Sequence, residues 1–185
     1  MASLKTLAAV GTVPLMLLAF LFAGEKLVSV ARCAGPADVA KPEWTLDVEK
    51  MKAPEARAVG RIHGQAFTLN YAVLQNGVLT LGQDRGIARP LRGVYVQMLY
   101  KQNEDPHGRT WTIKPDQARD IPFISLLWEK PKDTQQHDSQ DFPKGYAMVL
   151  ELGPAEKGKC KGKIYLCLPD DERSVVAGTF EAVEK

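Results

Sequence analysis

The stretch 72–81, Ala-Val-Leu-Gln-Asn-Gly-Val-Leu-Thr-Leu, places Asn76 and Gly77 between two apolar runs. Both central residues of a type I′ turn need positive φ, which asparagine tolerates and glycine adopts freely. The pair therefore predicts a two-residue β-hairpin in which Leu74 faces Leu79. Side chains alternate along a strand, so one face of this hairpin is entirely apolar, as a sheet covering a core requires. That face contains Ala72, Leu74, Leu79 and Leu81.

Short alternating or apolar runs, separated by turn residues, continue on both sides of this hairpin. Residues 122–129 are apolar on both faces, which predicts a central strand. A polar loop is predicted at 130–142, a glycine- and lysine-rich turn at 153–162, and one helical turn at 116–119. The other predicted strands cover about 58–63, 67–75, 78–82, 94–100, 110–113, 146–152, 163–168 and 174–183.

These patterns predict an all-β domain at 58–185. About eight or nine strands at this spacing, without a long helical pattern, favour a single antiparallel β-sandwich of two sheets. A β-barrel is the alternative architecture. A chain of 185 residues is long enough to bury a substantial core within one domain.

Residues 1–31 have the features of an export segment, either a signal peptide or a membrane anchor. Lys5 supplies a positive start, and residues 7–24 contain no charge. That length lies between the apolar core of a signal peptide and a short membrane span. Residues 29–31, Ser-Val-Ala, fit a small-x-small cleavage site. We therefore expect an exported protein that is periplasmic, secreted or anchored to the membrane by residues 7–24.

Residues 32–57 are predicted to be a linker, because proline-containing pairs interrupt them and they lack apolar periodicity. Within this linker, 43–48 could form an edge strand. Trp44 and Leu46 are expected to dock on the domain that follows.

Four stretches, 60–67, 72–81, 163–170 and 176–180, resemble segments of a group of exported bacterial proteins that has no assigned function. The resemblance covers most of 58–185, and its motifs are hairpins and strands. It implies a β-sandwich fold and export, and it supplies no catalytic residue.

The charges of the chain are nearly balanced, with a net charge of +2 at pH 7. Residues 58–185 contain 17 Lys and Arg against 16 Asp and Glu. This balance excludes the strongly basic surface of a typical nucleic-acid-binding protein, so no nucleic acid partner is expected.

A run of alternating lysines occurs at 157–163. If this run is extended, all its ammonium groups share one side and would attract an anionic polymer. The alternative is a solvated hairpin loop whose lysines protect a sheet edge from further pairing.

The three cysteines are Cys33, Cys160 and Cys167. Export permits a disulfide, and the last two are the nearest pair in sequence. If 162–168 is one extended strand, Cys160 must fold back alongside it, since bridged Cα atoms lie about 5.5 Å apart. The alternative is that Cys167 is a small buried apolar side chain. A Cys-x6-Cys pair without a nearby histidine does not match zinc spacing, and no cofactor is predicted.

Metal-binding patterns are sparse in this sequence. His63, His107 and His137 fall in different predicted elements, and no two of them form a His-x-His or His-x3-His pair. The 133–141 loop contains aspartates and amide oxygens, the hard ligands that Ca²⁺ prefers, but its spacing differs from that of an EF-hand. A solvated loop is the competing interpretation. The other possible metal site combines two of the histidines with Asp138. We predict no metal ligand from the sequence.

Aromatic side chains provide the candidate ligand-binding residues. An aromatic strip on one face of a sandwich can stack against sugar rings with a few polar partners. Tyr95 and Trp111 alternate with polar neighbours and are the surface candidates, whereas Trp128 lies on the doubly apolar strand and is expected in the core.

The sequence contains no Gly-x-Ser-x-Gly motif and no phosphate-cradling glycine loop. We therefore expect a non-catalytic binding or structural domain of the cell envelope, with an envelope protein or polysaccharide as its partner. A carbohydrate-binding module that uses exposed aromatics is the first alternative. A hydrolase whose catalytic groups meet only in space is the second.

Overall fold

The structure is a computed structural model that describes residues 41–84, 90–98, 105–130 and 133–185, without the side chains of 133–135. These residues form eleven β-strands and one short 3-10 helix, Val48–Lys50, and contain no α-helix. The all-β prediction is therefore confirmed. The strands are β1 (Val59–Ile62), β2 (Gln65–Thr68), β3 (Tyr71–Gln75), β4 (Val78–Gln83), β5 (Arg92–Gln97), β6 (Thr110–Ile113), β7 (Phe123–Lys130), β8 (Asp133–Phe142), β9 (Ala147–Glu156), β10 (Lys159–Cys167) and β11 (Val175–Glu184).

Nine strands form one open sheet that curls into a half-barrel, in the order β6-β9-β10-β11-β3-β4-β5-β7-β8. β1 pairs with β11 and with β2, outside this path. The pairing is antiparallel except between β11 and β3, which run parallel over 182–184 and 72–74. This pairing joins the β9-β10-β11 group to the β3-β4-β5 group. The strands therefore form one curled sheet, an architecture between the predicted sandwich and the alternative barrel.

The predicted hairpin at 72–81 is confirmed. Leu74 pairs with Leu79, and the turn residues Asn76 and Gly77 have φ values of 49° and 77°. The four apolar residues predicted to share a face are all buried in the main core. Turn chemistry and hydrophobic pattern thus specify the same register, because both act over a few neighbouring residues.

The sheet has an inner and an outer face, which we name by the core that each contacts. The inner face contains Leu79, Ile124, Leu150 and Ile164, and it surrounds the main hydrophobic core. The outer face of β9, β10 and β11 contains a second, smaller cluster around Tyr165 and other buried residues. Those residues are Ala147, Cys167, Val175 and Ala177, and Met51, from the segment before β1, completes the cluster.

The segment 43–57, which we call the strap, covers this second cluster. Trp44 and Leu46 pack against it, as predicted for the linker. The Trp44 indole donates a hydrogen bond to the Leu168 carbonyl at 2.7 Å, and the Tyr165 hydroxyl donates to the Glu43 carbonyl at 2.6 Å. The edge strand considered at 43–48 is not formed, and Val48–Lys50 makes a 3-10 turn instead. A tryptophan anchored at both its ring and its N–H fixes the strap on the sheet.

The prediction of a polar loop at 130–142 is wrong, because most of this stretch forms strand β8, which pairs with β7. β8 is the last strand in the sheet order, and its charged side chains suit an edge that must not pair further. The basis for a Ca²⁺-binding loop is therefore lost. The predicted turn at 153–162 is much shorter in the structure. β9 and β10 extend into this stretch and leave a two-residue turn at Lys157 and Gly158. The helical turn at 116–119 is absent.

Candidate functional site

A cleft of about 750 Å³ opens beside the C-terminal end of the strap. Its walls come from strap residues Glu55 and Arg57, from the start of β3, and from β9, β10 and β11. Here β11 changes partners, from β1 at 175–177 to β3 at 182–184. Between these two pairings, the only partner of this edge of β11 among the described residues is Arg57, which forms a bridge with Thr179. The cleft therefore follows from a change of neighbour along one strand.

A row of five polar residues crosses this cleft. Thr110 pairs with Glu151, Glu151 with Lys163, and Lys163 with Thr179. Arg57 bridges to Thr179 and completes the row. Directly paired residues project from the same face of a sheet, so the five side chains lie side by side on the outer face. All five line the cleft.

Two ion pairs organise the charges around this row. The Lys163 ammonium binds the Glu55 carboxylate, and that hydrogen bond raises the pKa of Lys163. Next to the row, Lys159 Nζ lies 2.5 Å from Glu181 Oε1, and this hydrogen bond lowers the pKa of Glu181. Of the lysine run, residues 159–163 are extended in β10, whereas Lys157 lies in the turn before it, and two of the lysines, Lys159 and Lys163, are paired with carboxylates.

Three charged side chains of the cleft remain without a hydrogen bond or ion pair within the described part of the chain. They are Arg57, Lys161 and Glu151. Two are positive and one is negative, and they stand beside buried apolar residues such as Leu152 and Phe180. Such a surface can bind a ligand that has both signs of charge and some apolar area.

Tyr71 lies at the edge of the cleft, and its ring covers Gly82 on the neighbouring strand. A Cβ at Gly82 would lie 2.6 Å from Tyr71 Cε2. Burial raises the pKa of Tyr71 to about 12, and the charge of nearby Tyr95 contributes in the same direction. The hydroxyl of Tyr71 therefore stays protonated and neutral at physiological pH.

Tyr95 and Trp111, the ligand-binding residues predicted from sequence, are not brought together. Trp111 pairs with Leu150 and packs against the main core on the inner face. Tyr95 pairs with Thr80 on the outer face, six strands away from the strand of Trp111 along the sheet order. A single aromatic strip cannot include both residues. Trp128 is buried, as predicted.

Tyr95 instead lines a separate shallow depression of about 340 Å³. Phe123 and Leu127 supply its apolar surface, and Ser125 and Gln97 supply polar groups. The Ser125 hydroxyl donates a hydrogen bond to Asp141 of β8 at 2.7 Å.

His107 belongs to a second group of reactive side chains near the cleft. Its Nδ1 contacts the Asp105 carboxylate, and its Nε2 lies 2.5 Å from Glu184 Oε1. Cys160 Sγ, a histidine nitrogen and a Glu184 oxygen lie within 4.8 Å of one another. Cys160 donates to the carbonyl of Gly153, a residue that lines the cleft. The sequence spacing gave no indication of this group.

The Cys160 thiol lacks the properties of an activated nucleophile. It is fully buried, and its pKa is raised by burial and by the charges of Glu184 and Asp105. Nucleophilic cysteines have lowered pKa values and partial exposure. A cysteine-based hydrolase would need the opposite environment.

His63 lies in a different group, which closes the turn between β10 and β11. Asp170 accepts hydrogen bonds from Ser174 N at 2.7 Å and from the Ser174 hydroxyl at 2.6 Å. The His63 ring stacks on Trp128 with centroids 4.1 Å apart, and the backbone N–H of His63 donates a hydrogen bond to the Ser174 hydroxyl at 2.8 Å. This set of contacts holds β1 and the 170–174 turn together. His137, on β8, contacts the Pro90 carbonyl at 3.0 Å.

Cys160 and Cys167 are free thiols, and both are buried. They occupy the two ends of β10, so they cannot be bridged without breaking that strand. The disulfide considered from sequence is therefore absent. The alternative, in which Cys167 is a small buried side chain, is confirmed. Cys33 lies outside the described residues.

The predicted export segment also lies outside the described residues. Within the residues that are described, no helix has both the length and the hydrophobicity needed to cross a bilayer. Comparisons with protein-family models, with curated proteins and with solved structures find no significant match to this chain.

Proposed function

We propose that this protein is an exported, non-catalytic binding domain of the cell envelope, and that the cleft beside the strap binds an extended segment of another envelope protein. The supporting observation is the polar row formed by Thr110, Glu151, Lys163, Thr179 and Arg57. Five separate parts of the chain contribute to it. Export is supported by the uncharged segment at 7–24.

The length of the row favours an extended ligand. Neighbouring strands lie about 4.8 Å apart, so the four steps from Thr110 to Arg57 extend roughly 19 Å. An extended peptide of about six residues has the same length. The cleft volume of about 750 Å³ is within the range of specific ligand sites.

The charges of the row favour a peptide over a neutral polysaccharide. Glu151 offers a partner for a basic side chain, and Arg57 and Lys161 offer partners for acidic ones. A neutral polysaccharide leaves all three charges without a partner. The step from Glu151 to Arg57 is roughly 14 Å, which matches two peptide side chains that are four residues apart and project from the same face.

The test uses synthetic peptides with a polyserine background and measures binding by fluorescence anisotropy. The first peptide has lysine and glutamate four residues apart, and the second has them adjacent, so that they project from opposite faces. A peptide of serine alone is the third. We expect the first to bind most tightly, with a gain of up to about fivefold for each exposed ion pair.

Two matched variants locate the binding to the cleft. Lys161→Glu reverses a charge inside the cleft, whereas Lys157→Glu makes the same change in the β9–β10 turn. Lys161→Glu should weaken binding of the first peptide, and Lys157→Glu should leave the affinity for that peptide unchanged. Equal affinities for all three peptides, or equal effects of both variants, would exclude this proposal.

The depression around Tyr95 supports a second candidate function, carbohydrate binding. Tyr95 and Phe123 offer ring surface there, and Ser125 and Gln97 offer hydrogen-bonding groups. Soluble envelope polysaccharides titrated against the protein and against Tyr95→Ala test this candidate. A loss of affinity in the variant supports it, and unchanged affinity excludes Tyr95 from sugar binding.

A further inference from the structure

Three distant parts of the chain bring His107, Cys160 and Glu184 close together. His107 lies in the loop before β6, Cys160 lies near the start of β10, and Glu184 ends β11. One nitrogen, one sulfur and one oxygen of these residues lie within 4.8 Å of one another. The cluster therefore offers a nitrogen, a sulfur and an oxygen donor from three separate parts of the chain.

We propose that His107, Cys160 and Glu184 bind a zinc ion, with Asp105 as the residue that positions His107. Zinc prefers sulfur, imidazole nitrogen and carboxylate oxygen in a tetrahedral arrangement. A cysteine ligand argues against Mg²⁺ and Ca²⁺, which prefer oxygen. Three protein ligands leave the fourth position for water or for an incoming group.

The Asp105–His107 contact has the form that zinc sites use to orient a histidine. Metal-binding histidines donate their second ring N–H to a carboxylate or a carbonyl, which fixes the ring and the tautomer. Asp105 contacts Nδ1 of His107, and this leaves Nε2 directed at Glu184. The His107 backbone N–H also donates to the Asp105 carboxylate at 2.9 Å. Both hydrogen bonds hold the ring in one orientation.

The backbone of all three ligands is fixed before any metal binds. Cys160 pairs with Ala182 on β11 and with Ala155 on β9. Glu184 N donates to the Gly158 carbonyl at 2.9 Å. The loop of His107 is held by Gly108 N, which donates to the Gly153 carbonyl at 3.2 Å. Two of the ligands therefore lie on paired strands and the third lies on a loop tied to β9, so the ligand backbones are already positioned for a metal.

The experiment uses the purified chain with Cys33→Ser, so that Cys160 and Cys167 are its only thiols. Zinc sulfate is titrated calorimetrically, and cobalt chloride is titrated with absorbance detection. We expect one zinc per chain, and a thiolate-to-cobalt charge-transfer band in the near ultraviolet that requires Cys160. Cys160→Ser should abolish this band, whereas Cys167→Ser, at the other end of β10, should keep it.

Glu184→Gln and Asp105→Asn test the other residues without altering a buried side chain. Glu184→Gln should lower the affinity for zinc at least tenfold. Asp105→Asn should lower it about 10- to 100-fold while the cobalt band persists. Melting temperatures without metal confirm that each variant is folded. Absence of zinc binding by the wild type, a cobalt band that survives Cys160→Ser, or unchanged zinc affinity in Glu184→Gln would each overturn the proposal.

Discussion

Gly162 lies directly against the ring of Phe180, its partner on the neighbouring strand. A Cβ at position 162 would lie 2.8 Å from Phe180 Cε2 and 2.6 Å from the Glu151 carbonyl oxygen. The missing side chain lets the ring cover the backbone of β10, and both residues line the cleft. An aromatic side chain that shields a glycine on the next strand restores packing that the glycine lacks.

Gly162→Ala should therefore destabilise the domain by about 1–3 kcal/mol, as overpacking of a core does. Urea denaturation followed by tryptophan fluorescence measures this change. In the double variant with Phe180→Leu, part of the loss should be recovered, because the smaller side chain leaves the ring position. The Glu151 carbonyl is backbone and stays in place. A fully additive double variant would contradict the Gly162–Phe180 relationship.

Gly77→Val should destabilise the hairpin by about 1–3 kcal/mol, because a β-branched residue is strained at positive φ. Gly77 has a φ of 77°. Asn76→Gly is the matched control, since glycine is accepted at either central position of a type I′ turn. In thermal denaturation, the melting temperature should fall for Gly77→Val and stay unchanged for Asn76→Gly. An unchanged melting temperature for that variant would contradict the turn type.

Asp170→Asn should destabilise the domain by about 1–3 kcal/mol. Asp170 is only 7% exposed and accepts two hydrogen bonds from Ser174, and an amide can accept through one oxygen only. Asp171→Asn makes the same change at the exposed neighbouring position and should have little effect. Equal stabilities of the two variants, measured by urea denaturation, would show that the Asp170 hydrogen bonds do not hold the turn.

Local signals decided which elements could be predicted. The hairpin at 72–81 combines a two-residue turn with alternating apolar residues, and both signals act within ten residues. β8 was missed because its sequence is polar, and an edge strand is specified by backbone pairing to β7 rather than by an apolar face. The lysine run at 157–163 is extended only from Lys159 onward, so Lys159, Lys161 and Lys163 share one side of β10 and Lys157 lies in the turn.

The site could not be predicted, because its residues are adjacent only after the long-range pairing forms. The polar row joins Arg57, Thr110, Glu151, Lys163 and Thr179 from five segments. No local pattern distinguishes these residues from ordinary outward-facing polar residues on strands. The cluster of His107, Cys160 and Glu184 has the same origin.

The pKa of Glu181 should return toward its ordinary value in Lys159→Gln, because the hydrogen bond from Lys159 is the main cause of its depression. Because the pKa of Glu181 is lowered in the folded protein, its pair with Lys159 stabilises the fold at pH values above the ordinary pKa of glutamate. This contribution to stability is lost as the pH falls through the lowered pKa. Carboxyl chemical shifts measured by NMR between pH 2 and 7 report the change. Lys157→Gln, in the adjacent turn, should leave the Glu181 titration unaltered.

The thiols of Cys160 and Cys167 should be nearly unreactive in the native protein and fully reactive once it unfolds. Burial raises the pKa of Cys167 to about 11, so only about one thousandth of it is thiolate at pH 8. Burial also raises the pKa of Cys160. In the Cys33→Ser chain, a chromogenic disulfide reagent at pH 8 should detect two thiols in urea and react far more slowly without it. Rapid labelling of the native protein would contradict the burial of both thiols. Fewer than two thiols in urea would show a disulfide in place of the two free cysteines at the ends of β10.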